Sequence, residues 1–348
     1  MRNKVLNGKP ILGITMGDPA GIGPEIAAKT LNRKKIYEMC NPIVIGDAKA
    51  MEQAKDIAKV NLEVYPVHDI KEAKFRYGTI DVYDLNNVDL TKLVHGKVSV
   101  MAGEAAFAPI KKVIELAMSG EIDGTVTGPI NKESMNLAGH HFSGHTEIYA
   151  HYTNSEDSAM LLVHDKLRVV HVSTHVSLRQ ACDLVKKKRI LKVINYVVKA
   201  CKDLGVLNPK IGVAGLNPHA SEGGLFGWEE EREIIPAVKE AKGKGFNIEG
   251  PIPPDTIFSK ALGGIYDAVV AMYHDQGHIP VKVLGFRWNE KIQNWDSVSG
   301  VNITLGIPII RASVDHGTAF DIAGKGKATD ESLVNAIDYA TKMVMHKK

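Results

Sequence analysis

Three histidines each close an apolar run of one design: VVHVSTH ends at His175, IGVAGLNPH at His219 and AVVAMYH at His274. Ligands of open α/β sheets bind beyond the carboxyl ends of the strands, so imidazoles carried there by three strands can converge on one point. Imidazole is a common ligand of divalent transition metals, and three protein ligands leave coordination positions open for a substrate. Taken singly, each histidine reads as readily as a polar residue of a strand-end loop. The shared context gives the set its weight, because the spacing is not that of a compact motif such as HExxH.

Groups suited to anions surround these runs. GHTE offers the His145 imidazole, the Thr146 hydroxyl and the amides of a helix start. Lys282 follows His274 by eight residues and Arg311 ends the apolar run GIPII. Lysine meets a phosphate as a point charge and arginine as a fork, although either residue alone is equally a solvated surface charge. GDPAGIGPE, Gly17 to Glu25, follows an apolar run and opens a helix. Its GxG runs directly into Pro24, so it is not the GxGxxG dinucleotide fingerprint. It remains either an anion-facing helix start or a structural turn. DHGTAFDIAGKGKA, Asp315 to Ala328, is a second Gly-rich block, with a helix expected over TAFDIA. It is a candidate cradle for an adenine–ribose–phosphate unit, with Asp315, Gly317, Thr318 and Asp321 as the contacts. Asp255 and Asp275 are candidates for a general base, or for partners that orient a ligand histidine.

The elements that must position these residues alternate. Pro10–Met16, Pro42–Ile45, Gly124–Thr127, Ala159–Val163, Leu167–Val172, Ile211–Ala214, Ala268–Met272 and Val301–Thr304 read as buried strands. Pro24–Leu31, Glu104–Met118, Lys188–Lys202, Glu229–Lys242 and Asp330–Met345 carry apolar residues three and four apart, the spacing of a helix face. The alternation predicts an α/β fold with a largely parallel sheet. A chain of 348 residues exceeds one small core and implies two lobes. These are expected over about 1–130 with 305–348, carrying the cofactor loop, and about 131–304, carrying the metal site and dimer contacts. The polar stretch Arg287–Ser299, with Trp288 and Trp295, reads as a surface excursion. A net charge of +3 points to neither nucleic acid nor an anionic membrane. Three scattered cysteines fit a reduced compartment. The apolar run near Met1 is too short for a signal peptide or a membrane span, so a cytoplasmic enzyme is expected.

GPINKESM, GHTE, STHVSLR, GLNPHASEGGLFGWEE, GPIPPDT, AMYHDQGHIPVK and GVNITLGIPIIRASVDHGTAFDIAGKG together resemble the 4-hydroxythreonine-4-phosphate dehydrogenases, from about Gly13 to Lys327. The last of these blocks is also similar to the cofactor loop of isocitrate and isopropylmalate dehydrogenases. The resemblance implies that fold: two interwoven α/β domains without a Rossmann cofactor domain. It implies His175, His219 and His274 as ligands of one divalent metal, whether Zn, Mg, Mn or Co. It implies substrate contacts from His145, Thr146, Lys282, Asn302 and Arg311. It further implies NAD or NADP as cofactor and a homodimer whose active sites draw on both chains. The activity implied is oxidation and decarboxylation of a phosphorylated hydroxy acid, as in pyridoxal phosphate biosynthesis. Relatives of the family act on 4-phosphorylated threonate and erythronate or on a cyclic diol dicarboxylate, and GDPAGIGPE, with Asp18, looks more like theirs. The connection at Arg287–Ser299 is longer than the family's usual pattern. A phosphoryl or acyl transferase on a related fold, or a metabolite sensor, are the competing readings.

Overall fold

The computed structural model describes residues 8–290 and 294–347. Residues 1–7, on which the expectation about a signal peptide partly falls, residues 291–293 of the polar excursion and residue 348 lie outside the described residues. In chain order the strands are β1 Ile11–Thr15, β2 Asn41–Gly46, β3 Glu63–Val67, β4 Thr79–Asp84, β5 Gly124–Thr127, β6 Ala159–His164, β7 Leu167–His171, β8 Ile211–Ala214, β9 Ile248–Ile252, β10 Ala268–Ala271, β11 Phe286–Asn289, β12 Asn294–Val298, β13 Val301–Leu305 and β14 Arg311–Val314. The helices are α1 Gly23–Leu31, α2 Lys34–Met39, α3 Ala48–Ala58, α4 Val100–Ser119, α5 Lys132–Leu137, α6 His145–Tyr152, α7 Leu178–Leu184, α8 Lys187–Asp203, α9 Ile235–Gly243, α10 Pro254–Leu262, α11 His274–Gly285 and α12 Glu331–His346. They divide into two compact units, Met1–Glu156 with Ile307–Met345, and Asp157–Gly306 with His346–Lys348.

In the first unit the strands lie in the order β3-β4-β2-β1-β5-β14, and every pairing is parallel. β2 and β5 are buried along their whole length, which is why they read as unbroken apolar runs rather than alternating ones. Ile43, Ile45, Ile110, Val113 and Tyr149 are core residues of this unit. Gly13 is required in β1, since a Cβ there would stand 2.6 Å from the Val113 side chain. α4 starts on the Ser99 side chain, which accepts from the Ala102 amide, and ends at Gly120 with φ 77°.

In the second unit the order is β13-β6-β7-β10-β8-β9. β13, β6 and β7 pair antiparallel, and β7, β10, β8 and β9 pair parallel. β7, β10 and β8 are therefore neighbours whose carboxyl ends share one edge, the placement the three histidine runs call for. The expected surface excursion is more regular than its polarity suggests. Its backbone forms the antiparallel pair β11–β12, with a register shift between Arg287 and Trp288.

The fold is the α/β architecture that the alternation predicts. Two local expectations fail. TAFDIA forms turns rather than a helix, because the Thr318 carbonyl accepts from the Ile22 amide and Ala319 sits at φ 43°. The helix expected from Glu229 opens instead with a wider π-helical turn, Glu230–Ile234, before α9 begins. Among the described residues no helix is long and apolar enough to cross a membrane.

Candidate active site

The three histidines sit past the strand ends rather than at them. β7 stops at His171, and His175 lies four residues on in the exposed loop before α7. His274 is the first residue of α11, three residues after β10. The His175 and His274 rings have centroids 5.7 Å apart. Two further imidazoles that sequence reasoning missed stand behind them. His278 stacks on His274 at 3.6 Å and 12°. His171, fully buried, lies 4.7 Å from His278. Burial, with the neighbouring imidazoles, pushes His171 down to about 3 and His278 to about 4, so both are neutral in neutral solution. Their local signals were the glycine and the i+4 spacing: a Cβ on Gly277 would meet His171 Nε2 at 2.3 Å, and His278 Nδ1 lies 3.0 Å from the His274 carbonyl.

His219 is not part of this stack. It stands in the turn after β8, edge-on to Phe226 with centroids 6.0 Å apart. Among the described residues no three His, Cys, Asp or Glu side chains are grouped to hold a metal. The turn is left-handed. His219 (φ 53°, ψ 25°), Ala220 (φ 53°, ψ 48°), Ser221 (φ 73°, ψ −18°) and Glu222 (φ 47°) all lie in the region that L-residues avoid. Each such residue costs roughly 1–2 kcal/mol, so a run of four persists only where its surroundings dictate it.

His219 and His274 nevertheless share one arrangement. His274 Nδ1 meets Asp275 Oδ1 at 2.6 Å, and His219 Nδ1 meets Glu222 Oε2 at 3.3 Å. A carboxylate on Nδ1 fixes the tautomer and leaves Nε2 to face a metal, so this donor chemistry fits one. Asp275 is accordingly an orienting partner in this geometry. Asp255 is exposed in the first turn of α10. Lys282 lies on α11 with its ammonium 4.2 Å from the Phe286 ring centre. Asn302 lies on β13, opposite Leu162 of β6.

The first unit carries a different constellation. Arg311, 2% exposed, donates to Thr127 Oγ1 at 2.7 Å and lies 5.6 Å from the Tyr149 ring centre. Tyr149 in turn donates to Thr125 Oγ1 at 3.0 Å. Burial lowers the Arg311 pKa to about 10, against the opposing influence of Tyr149 and Glu147. His145 and Thr146 open α6. His145 Nε2 is shut off from solvent without a hydrogen-bond partner. Burial, helped by Arg311 and Lys132, holds His145 well below the ordinary histidine range, so it stays neutral. A buried guanidinium, a neutral imidazole and helix-start amides make a site for an anionic oxygen group. Tyr149, Thr127 and Lys132 were not legible in advance, because their neighbours are distant in sequence.

The Gly-rich block Asp315–Ala328 is fastened to α1. Glu25, buried, accepts from the Ala328 amide at 2.8 Å and the Gly326 amide at 3.2 Å. Lys29 donates to the carbonyls of both residues and to Glu25. GDPAGIGPE thus serves as the seat of this loop, with Gly21 packed under Thr318. Of the four candidate contacts, Thr318 is buried, Asp315 is half-buried, and Gly317 and Asp321 face outward. A side chain at Gly317 would meet nothing within 4 Å, so a bare backbone is open to a planar ring there. In the same GDPAGIGPE segment, Asp18 Oδ2 is buried with no partner, while Oδ1 accepts from the Ala20 amide at 2.8 Å. Burial raises Asp18 to about 7 despite backbone hydrogen bonds from Ala20 and Asn131.

Residues 38–340 match the family model described as pyridoxal phosphate biosynthetic protein PdxA. A Clostridium botulinum protein provisionally named D-threonate 4-phosphate dehydrogenase is 48% identical over 338 residues, covering 97% of this chain and 98% of its own length. The crystal structure of a 4-hydroxythreonine-4-phosphate dehydrogenase from Burkholderia phymatum is 44% identical with a TM-score of 0.82, over 96% of this chain and 98% of that one. Its counterpart from Klebsiella pneumoniae is 43% identical with a TM-score of 0.83, over 97% and 100%.

Proposed function

The chain belongs to the PdxA family, and on that premise we propose that it is a metal-dependent, NAD(P)-dependent dehydrogenase of a 4-phosphorylated four-carbon hydroxy acid. D-Threonate 4-phosphate is the first candidate, after the name of the 48%-identical relative. 4-Hydroxy-L-threonine 4-phosphate is the second, after the similar crystal structures. The observation that carries the metal reading is the paired arrangement of His219 and His274, each with Nδ1 held by a carboxylate. His175, His219 and His274 would hold the ion. The chemistry supplied by a bound divalent metal is a lowered hydroxyl pKa, and that of the nicotinamide is acceptance of hydride.

The chain's own residues do the rest. Asp275 holds the tautomer of His274, and His278 stacks on its ring to fix its plane. Arg311 and the α6 amides bind anionic oxygen, and neutral His145 contributes a hydrogen bond without adding charge. Lys282 and Asn302 are proposed as further substrate contacts. With Asp275 committed to His274, Asp255 is the remaining candidate to take the hydroxyl proton. Loss of hydride from the carbinol carbon and of that proton leaves a β-keto acid, which then releases carbon dioxide. Asp315, Gly317 and Asp321 are proposed to meet the cofactor.

His219 stands apart from the other two histidines, which supports a homodimer in which a second copy completes the ligand set. The large apolar side chains left exposed beside all three support it too: Val176, Leu178, Leu225, Phe226, Trp228 and Ile279. The test is a panel of D-threonate, D-erythronate and 4-hydroxy-L-threonine 4-phosphates, with NAD and NADP, each with Zn, Mg, Mn or Co. We expect reduced nicotinamide with at least one acid, lost in metal-stripped protein and in His219→Ala. Full activity without metal ends the metal reading. Absence of reduced cofactor across the whole panel ends the dehydrogenase reading and favours the transferase alternative.

A further inference from the structure

The left-handed turn of His219 is built from residues other than glycine, so something outside it must impose its shape. The chain leaves β8 at Ala214 and reaches His219 through Gly215, Leu216, Asn217 and Pro218. Glu230 lies directly against this path and is fully buried. Its Oε1 accepts from the amides of Leu216 at 2.7 Å and Asn217 at 2.8 Å. Its Oε2 accepts from the Asn217 side-chain amide at 2.8 Å. The π-helical turn beginning at Glu230 is a local departure from α-helix of the kind found at functional sites. Gln276 ties the same path to the His274 segment: it donates to the Gly215 carbonyl at 2.8 Å and accepts from the Met272 amide at 2.6 Å. Downstream, Ser221 Oγ donates to the Gly227 carbonyl and accepts from the Gly224 amide, closing the turn.

A buried carboxylate is expensive unless its oxygens are filled, and here three N–H groups fill them. All three belong to the two residues that lead into the turn. We propose that Glu230 is the positioning residue that sets the left-handed turn and so aims His219 at a metal. This inference rests on the metal reading above. Glu230→Gln keeps the shape but sets an amide N–H against one of the three donors, so the path into the turn loosens and the strained residues can relax. Metal affinity then falls because His219 must be re-ordered on binding. Ala220→Gly would lower the strain directly, since glycine occupies the left-handed region freely.

The experiment titrates the full-length protein with cobalt(II), followed by its visible absorption, alongside melting of the metal-free protein. Wild type is expected to bind cobalt and His219→Ala to lose that binding. Failure of either arm removes the metal reading and this inference with it. With both in hand, Glu230→Gln should bind at least tenfold more weakly, and Ala220→Gly in the same chain should recover most of the loss. Asn217→Ala, which removes the side-chain leg of the clamp together with the bond from the same amide to Glu229 Oε2 at 2.8 Å, should weaken binding several-fold, and it stands in if Glu230→Gln does not fold. A purely structural clamp would lower melting while leaving cobalt affinity unchanged. That result, or a loss that Ala220→Gly does not recover, overturns the proposal while leaving the metal reading intact.

Discussion

Around Arg311 the backbone is regular and the charge is buried, whereas around His219 the side chain is exposed and the backbone is strained. The first region prepares for a ligand electrostatically. A guanidinium that is 2% exposed and a half-buried imidazole whose Nε2 is shut off from solvent are both carried by ordinary strands and helices. The second region prepares conformationally, with four left-handed residues in a row and a carboxylate clamp beneath them. Pre-organisation therefore takes two forms here, charge burial and backbone strain. They respond to different perturbations: charge burial to pH and ligand charge, strain to local backbone freedom.

The largest effect should come from Arg311. Arg311→Met should weaken binding of a 4-phosphorylated acid about a thousandfold, roughly 4 kcal/mol, by removing the buried cation. Thermal stability of the unliganded variant should match or exceed wild type, since a buried charge is gone. Equal affinity in calorimetry would break the electrostatic half of the comparison. Next comes Asp18, also in the first unit. Its carboxyl pKa is raised to about 7, so the folded state keeps a proton that the unfolded chain releases above its ordinary value near 3.8. The stability associated with that proton is fully present below pH about 4 and is lost as pH rises through 7. Asp18→Asn should therefore gain on wild type by about 2–4 kcal/mol between pH 4.5 and 7.5, read from denaturant melts at each pH. A difference that is flat with pH would mean the ionised carboxylate is paid for elsewhere. The smallest effect is in the second unit. Ala220→Gly in otherwise wild-type protein should raise stability by about 1 kcal/mol with little pH dependence, because only strain is relieved. A destabilised variant would show that the turn is not strained.

The sequence carried the parallel sheets because buried parallel strands are continuous apolar runs; Gly124–Thr127 and Ile211–Ala214 are found at the residues expected. β3 and β4 were missed because Glu63, Pro66 and Asp81 interrupt their runs, and β14 because Arg311 looked like the end of an apolar run rather than the start of a strand. The three histidines were legible as a repeated local pattern. Their surroundings were not. PHASEGG announces a turn through Gly223 and Gly224, yet nothing in its letters says that His219 to Glu222 are left-handed, because that conformation is imposed by Glu230 from outside the turn. His171, Tyr149 and Thr127 matter through contacts made across the fold, to which periodicity is blind. TAFDIA reads as helical by composition, but the Ile22 amide takes the Thr318 carbonyl and Ala319 is left-handed, neither of which its letters announce.

β14 pairs with β5, and Arg311 donates to Thr127 across 184 positions of chain. A ribosome therefore releases β5 long before its neighbour exists, and the whole 157–306 stretch of the second unit emerges in the interval. Until Val314 is out, β5 offers a bare, apolar strand edge of the kind that recruits other chains. The first unit is thus begun first and finished last. Vectorial synthesis at high expression, rather than equilibrium stability, is where this topology is most exposed to misassembly, and slowed translation or a holding chaperone acts on that window.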